Sequence, residues 1–171
     1  MIRIGQGIDV HPFDQERPLY LGGVLIAERG GLAGHSDADA VLHAITDAIL
    51  GALAAGDIGE YFPSDDPRWK GARSSRFIAE AMHLLAERSA SIVNLDVTII
   101  AQTPKISPHR DAIRGSIAGM LDLPAASVSV KATTTDHLGF VGRGEGICAM
   151  AIVAAIKAVI PPIHAMTWPG S

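Results

Sequence analysis

The sequence predicts an α/β (α+β) sandwich: a mixed sheet with helices packed on one face, in a single domain. Three observations lead there. The chain has 171 residues, a length that suits one domain. Hydrophobic residues make up 48% of it and aromatics only 5%, so the core must be built from aliphatic side chains and alanine. Runs with the period of a strand and stripes with the period of a helix follow one another as strands, helix, helix, strand, helix, strand, strand, an order that layered folds accommodate.

The elements are justified in turn. Ile2 to His11 alternates as a strand does. Leu19 to Ile26 carries Gly22-Gly23 and reads as a hairpin strand. Residues 36–54 read as a helix with Val41, Leu42, Ile45, Ile49 and Leu53 on one stripe, capped by Ser36 or Asp37 and stopped by Gly56. The turn formers of 57–67 argue against regular structure. Residues 74–89 read as a second helix with Ser74 as its cap, and Asn94 to Gln102 as a β-branched strand. Pro108 suits the first turn of a third helix ending near Leu121. Val128 to Thr133 is a strand. Gly146 to Lys157 is a long apolar strand or helix that periodicity does not settle, and the glycine-rich turn before it favours a strand in a hairpin. These elements make one domain over residues 1–158, and the tail 159–171, with its prolines, is expected to be mobile.

Bulk properties exclude several classes of function. The net charge of -4 gives no basic surplus for nucleic acid or an anionic membrane. One cysteine, Cys148, cannot form an internal disulfide framework and fits a reducing compartment. The amino terminus enters a strand without a basic region or an apolar leader, and no apolar stretch has the length of a membrane span. The expectation is a cytoplasmic protein that handles small molecules.

Two short phrases carry chemistry. Asp9 and His11 lie two apart on a strand, so both side chains leave from one face and can reach one ion. His43, on the first helix, can supply a third ligand, and an Asp/His/His set leaves a position open. Such a triplet is common by chance, so its weight comes from its surroundings. Asp39 and Asp47 each lie four residues from His43, and either can hold the second imidazole nitrogen. Gly34-His35-Ser36 precedes the helix and offers donors to an anion. Thr133, Thr134, Thr135 and Asp136 end a strand and can hold phosphate oxygens and a hard cation. Arg143, set among glycines, suits a phosphate, a surface or a subunit interface. The loop Ala101-Gln102-Thr103-Pro104-Lys105, at the end of the Asn94–Gln102 strand, can present donors and acceptors to a base, with Lys105 near phosphates.

Five phrases occur in order: G-x-D-V-H, H-S-D-x-D-x-x-x-H, D-I-G-x-x-F-P, A-Q-x-P-K and K-A-T-T-T-x-x-L-G-F-x-G-R-G-E-G. Through them, residues 1 to about 158 closely resemble the 2-C-methyl-D-erythritol 2,4-cyclodiphosphate synthase family of non-mevalonate isoprenoid biosynthesis. The resemblance implies a homotrimer with active sites at subunit boundaries. It implies a cytidine diphosphate ester of methylerythritol 2-phosphate as substrate, whose own 2-phosphate attacks the β-phosphate and releases CMP.

By motif, the resemblance implies zinc on Asp9, His11 and His43, and a second divalent ion, magnesium or manganese, near Asp136. It assigns transition-state stabilisation to His35 and Thr134. Substrate contacts fall to Asp9, His11, His35, Ser36, Asp57, Ile58, Gly59, Phe62, Pro63, Ser64, Asp65 and Asp66. Ala101, Gln102, Thr103, Pro104, Lys105, Ile106 and Ser107 match the cytidine loop, and Thr133, Thr134, Thr135, Asp136, Phe140 and Arg143 the diphosphate contacts. The family commonly has Glu where this chain has Asp136, and F-P-D-T-D where it has Phe62-Pro63-Ser64-Asp65-Asp66. Two other functions are compatible with the residues. One is a phosphohydrolase using the same metal triad. The other is a trimer that binds an isoprenoid diphosphate without turnover, with Arg143 and Glu145 at its polar end.

Overall fold

The structure, a computed structural model, describes residues 1–157, so the expected mobile tail lies outside the described residues. Seven strands and five α-helices follow in the order β1 (Ile2–Asp14), β2 (Leu19–Leu21), β3 (Val24–Ala27), β4 (Gly31–Leu32), α1 (Ala40–Leu53), α2 (Ile58–Tyr61), α3 (Ser75–Glu87), β5 (Ala90–Ile100), α4 (Arg110–Met120), β6 (Val128–Thr133), α5 (Gly139–Gly142) and β7 (Gly146–Lys157). Five strands form one sheet in the order β4-β1-β7-β5-β6, and β2 and β3 form a separate hairpin. Only β5 and β6 run parallel, joined through α4, so the sheet is mixed.

Helices cover one face of this sheet. On β7 the residues Ile147, Ala149, Ala151, Val153 and Ala155 are buried, while Ile152 and Ile156, on the opposite parity, are exposed. On β1 the even positions Ile2, Ile4, Ile8 and Val10 stay exposed, and Gly5 and Gly7 turn inward. The buried core is almost wholly Leu, Ile, Val and Ala, as the low aromatic content requires. A smaller cluster of Phe62, Trp69 and Phe77 sits apart beneath the 58–72 segment.

Gly5 and Gly7 set how close β1 lies to α1. A Cβ on Gly7 would come 2.0 Å from the Ala44 carbonyl oxygen, and one on Gly5 1.9 Å from that of Ala48. Strand and helix backbones touch here, with Ala44, Ala48 and Ala52 supplying the small face of the helix.

Several boundaries differ from the sequence expectation. Helix α1 begins at Ala40, not residue 36, because Asp39 rather than Ser36 or Asp37 caps it. Fully buried, Asp39 accepts from the amides of Val41 and Leu42 and from those of Gly22 (2.9 Å) and Gly23 (2.6 Å), tying the hairpin turn to the helix start. The helix ends at Ala54, left-handed at φ 51°, before Gly56 is reached. The 57–67 segment contains α2, capped by Asp57, and enters a 3-10 turn at Pro67–Trp69 capped by Asp66. Strand β5 starts at Ala90, with a register shift between Ile92 and Asn94. Pro108 lies in a 3-10 turn just before α4. No hairpin leads into β7: α5 intervenes, and β7 pairs with β1 and β5.

Candidate metal centre and substrate cleft

Asp9 and His11 occupy odd positions of β1, so they share the inward face with Gly5 and Gly7 and look toward α1. His43 comes to meet them from the first turn of α1. Three atoms converge. Asp9 Oδ2 lies 2.9 Å from His11 Nε2 and 3.1 Å from His43 Nδ1, and the two imidazole nitrogens are 3.1 Å apart. Among the described residues this is the one cluster of three or more His, Cys, Asp or Glu groups able to hold a metal ion.

The size of that triangle tests whether an ion fits. A tetrahedral ion with bonds of about 2.0–2.2 Å needs its donors roughly 3.3–3.6 Å apart. The observed edges fall a few tenths of an ångström short, within the swing of one side-chain torsion. The chemistry of the donors agrees. Two imidazoles and a carboxylate suit a first-row divalent ion with one position left open.

Outer contacts fix which nitrogen faces inward. His11 Nδ1 donates to the Ala33 carbonyl at 2.6 Å, leaving Nε2 to the cluster. His43 turns Nε2 away, toward Ser74 Oγ at 2.9 Å and Ser36 Oγ at 3.1 Å. Neither aspartate expected to hold His43 does so. Asp39 is spent on the helix cap, and Asp47 accepts from the Ile58 amide at 2.7 Å. Burial pushes the Asp47 carboxyl up, with the Ile58 amide opposing it. At Asp9 burial also pushes upward, but the hydrogen bonds and positive potential of His11 and His43 outweigh it and hold the carboxyl well below the usual range. The His11 imidazole moves the other way: burial lowers it, and the Asp9 hydrogen bond and charge raise it beyond that loss.

The triad forms part of the wall of a cleft of about 670 Å³. His35, Ser36, Ile58, Gly59, Phe62, Pro63, Ser64 and Asp65 also line it, as do Trp69 and Phe77. Ser36 is buried, and His35 is exposed at the rim, its carbonyl accepting from the Gly71 amide at 2.8 Å. Two expected neighbours stand outside this wall. Asp57 lines a separate depression beside Gln6 and Gly7, where its carboxylate caps α2. Asp66 holds Arg68 through contacts of 2.6 and 2.8 Å.

Eight of the remaining expected residues line a second cleft of about 220 Å³. Ala101, Gln102, Pro104, Lys105, Ile106 and Ser107 meet Thr133 and Thr134 there. Thr103 faces another depression, with Pro104, Phe13 and Gly144. The Thr134 hydroxyl donates to Asp136 Oδ1 at 3.2 Å, and the Thr135 hydroxyl to the Leu138 carbonyl at 2.6 Å. Phe140 is exposed on α5, and Arg143 pairs with Glu145 at 2.7 Å. Within one chain, then, the metal cleft and the 101–107 cleft are separate walls. Sequence reasoning missed Ser74 as a partner of His43, since its place before a helical stripe signals only a cap.

The comparisons agree with this geometry. Residues 2–156 match the model of the YgbB family. The chain is 51% identical over 157 residues to a 2-C-methyl-D-erythritol 2,4-cyclodiphosphate synthase of Halalkalibacterium halodurans, covering 92% of this chain and all of that one. It is 53% identical over 152 residues to a bifunctional IspD/IspF enzyme of Caulobacter vibrioides, covering 89% of this chain and 40% of that protein. The chain thus spans less than half the length of such bifunctional relatives. A solved structure of Plasmodium falciparum IspF in complex with CDP superposes with a TM-score of 0.80 at 38% identity, over 92% of this chain and 97% of that one. Fold, ordered phrases and full-length likeness together mean that this chain belongs to the YgbB family.

Proposed function

We propose that the chain is a 2-C-methyl-D-erythritol 2,4-cyclodiphosphate synthase. It converts the cytidine diphosphate ester of methylerythritol 2-phosphate to the 2,4-cyclodiphosphate and CMP. The observation that carries this reading is the Asp9–His11–His43 triangle in the wall of a cleft large enough for a sugar phosphate. The names of full-length relatives support it.

An oxygen of the 2-phosphate forms a bond to the β-phosphorus, and the bond from that phosphorus to the bridging oxygen breaks. CMP leaves with the electron pair. No covalent link to the protein is needed, so the chain's work is to position groups and balance charge. Asp9, His11 and His43 hold zinc, which when bound supplies Lewis-acid neutralisation of phosphoryl charge. His35 at the rim and Ser36 in the wall of the cleft orient the 2-phosphate end, and the Ile58–Asp65 wall shapes the methylerythritol pocket. Ala101–Ser107 receive the cytidine, and the Thr134 hydroxyl donates to charge that grows on the phosphoryl oxygens. Asp136, whose Oδ1 lies 3.2 Å from the Thr134 hydroxyl, would hold magnesium or manganese beside the phosphates.

The two clefts of one chain are separate walls, which supports a trimer whose site is completed by a second copy. The uncovered sheet face supports the same assembly, since Ile2, Ile4, Ile8, Val10, Ile152 and Ile156 are all exposed on it. The single cysteine fits a cytoplasmic setting. Among the described residues no helix is long and apolar enough to cross a membrane.

Incubation with the ester, zinc and magnesium or manganese tests the reading, with products followed by phosphorus NMR. CMP and a cyclic diphosphate are expected. Inorganic phosphate would make the protein a phosphohydrolase, and tight binding without product a diphosphate-binding trimer.

A further inference from the structure

Ser74 occupies the position before α3 where a serine ordinarily caps the helix. It does not cap. Its backbone is helical at φ -64° and ψ -15°, and its side chain makes no bond to the helix amides. A serine cap contributes about 1 kcal/mol, so a fully buried hydroxyl turned from that role has another partner of comparable worth.

That partner is His43. Ser74 Oγ lies 2.9 Å from His43 Nε2 and donates its own proton to Asp37 Oδ1. An ionised carboxylate only accepts, so Asp37 fixes the direction of the chain. The Ser74 proton goes to Asp37, the Ser74 lone pair receives Nε2–H of His43, and the His43 Nδ1 lone pair faces Asp9 and His11. Asp37 is itself held. Its amide donates to the Ala72 carbonyl at 2.9 Å, its Oδ2 lies 3.6 Å from Arg73 Nε, and the Arg73 guanidinium stacks 3.9 Å from the Tyr20 ring. Phe77, one turn into α3, closes the other side of the imidazole at 5.5 Å between ring centroids.

We infer that Ser74, backed by Asp37, is the positioning residue of the metal centre: it locks His43 in the tautomer and orientation that present Nδ1 to the ion. The chain of bonds joins three segments that are far apart in sequence. It makes the start of α3 part of the ligand frame. The inference rests on Asp9, His11 and His43 being the metal ligands.

The test is zinc affinity, measured by competition with a chromophoric chelator on purified protein, with no turnover assay involved. Ser74→Ala is expected to weaken zinc binding about 10- to 100-fold, the usual effect of losing an outer-shell partner. Its thermal midpoint in excess chelator should fall by only a few degrees, since the lost bonds to His43 and Asp37 are worth about as much as a cap. Asp37→Asn should weaken binding in the same direction. The double variant should be no weaker than Ser74→Ala, since Asp37 acts through Ser74. Affinity of Ser74→Ala within threefold of the parent overturns the inference, and strictly additive losses overturn the relay through Asp37. Should Ser74→Ala not fold, Asp37→Asn, which leaves the buried hydroxyl in place, decides alone: unchanged affinity refutes the role. His43→Ala is measured alongside. Full zinc in His43→Ala refutes the ligand assignment itself, whereas loss there with parental affinity in Ser74→Ala refutes only the positioning role.

Discussion

Replacing Gly7 with alanine tests whether the approach of strand to helix sets the metal centre. Gly7 needs no left-handed backbone, so alanine is conformationally allowed and reduces the entropy of the unfolded chain, a gain of about 0.4–1 kcal/mol. Against that stands a Cβ placed 2.0 Å from the Ala44 carbonyl oxygen and 2.8 Å from the Ala48 nitrogen. The atoms facing it are helix backbone and the Asp47 Cβ fixed to it, and cannot swing aside. Reaching even a tight contact requires β1 and α1 to part by roughly 1 Å, and overpacking of this kind typically costs about 1–3 kcal/mol or more. Ala44 adjoins His43, so the parting is felt at the ligands. The 3.1 Å between His43 Nδ1 and Asp9 Oδ2 would open toward ~4 Å, past the roughly 3.3–3.6 Å that a tetrahedral ion spans. Gly7→Ala should therefore lower urea-unfolding stability by about 1–2 kcal/mol once the entropy gain is subtracted. It should weaken zinc by about 100-fold or more, which is about 2.7 kcal/mol. Gly5→Ala clashes equally, 1.9 Å from the Ala48 oxygen, but one helical turn further from His43. It should cost similar stability and less metal affinity. Zinc affinity in Gly7→Ala equal to the parent's would refute the reasoning.

Further outcomes follow from the same structure. Thr134→Val keeps the side-chain shape and removes a donor, so turnover should fall about 100- to 1,000-fold with little change in KM; a raised KM at parental turnover would make Thr134 a binding residue only. Asp136→Ala should weaken the apparent affinity for magnesium or manganese while zinc stays bound, read from metal titrations of activity beside zinc analysis. Asp39→Ala leaves the amides of Gly22, Gly23, Val41 and Leu42 without their acceptor. With a cap worth about 1 kcal/mol and buried amides about 1–3 kcal/mol each when fully unpaired, the loss in urea unfolding should reach about 3–5 kcal/mol; a loss below 1 kcal/mol would show that water replaces the carboxylate. Excess chelator should lower the thermal midpoint of the parent and leave that of His43→Ala unmoved, because only a folded triad gains from the ion.

The division between sequence and tertiary structure follows from the range of the interactions involved. Period-2 and period-3.6 patterns are local, so β1, α1, α3 and β6 were legible, as was the shared face of Asp9 and His11 two residues apart, whereas periodicity left β7 open between strand and helix. The ordered phrases made the family and the candidate ligands legible as well. Helix ends were not. A cap is chosen by which carboxylate meets free amides in space, and Asp39 is drawn in by Gly22 and Gly23 from a hairpin that no window around residue 39 contains. The partner of β7 was equally hidden. Its glycine-rich approach looks like a turn between neighbours, yet β7 lies between β1 and β5, because strand order is settled by packing over the whole sheet. The hold on His43 shows the limit most clearly. Helical spacing pointed to Asp39 or Asp47 on its own element, and folding instead brought Ser74 from α3, thirty-one residues away, with Asp37 behind it. Helical spacing ranks neighbours along one element, whereas the imidazole is gripped across the gap between two, and only the tertiary fold fixes that gap.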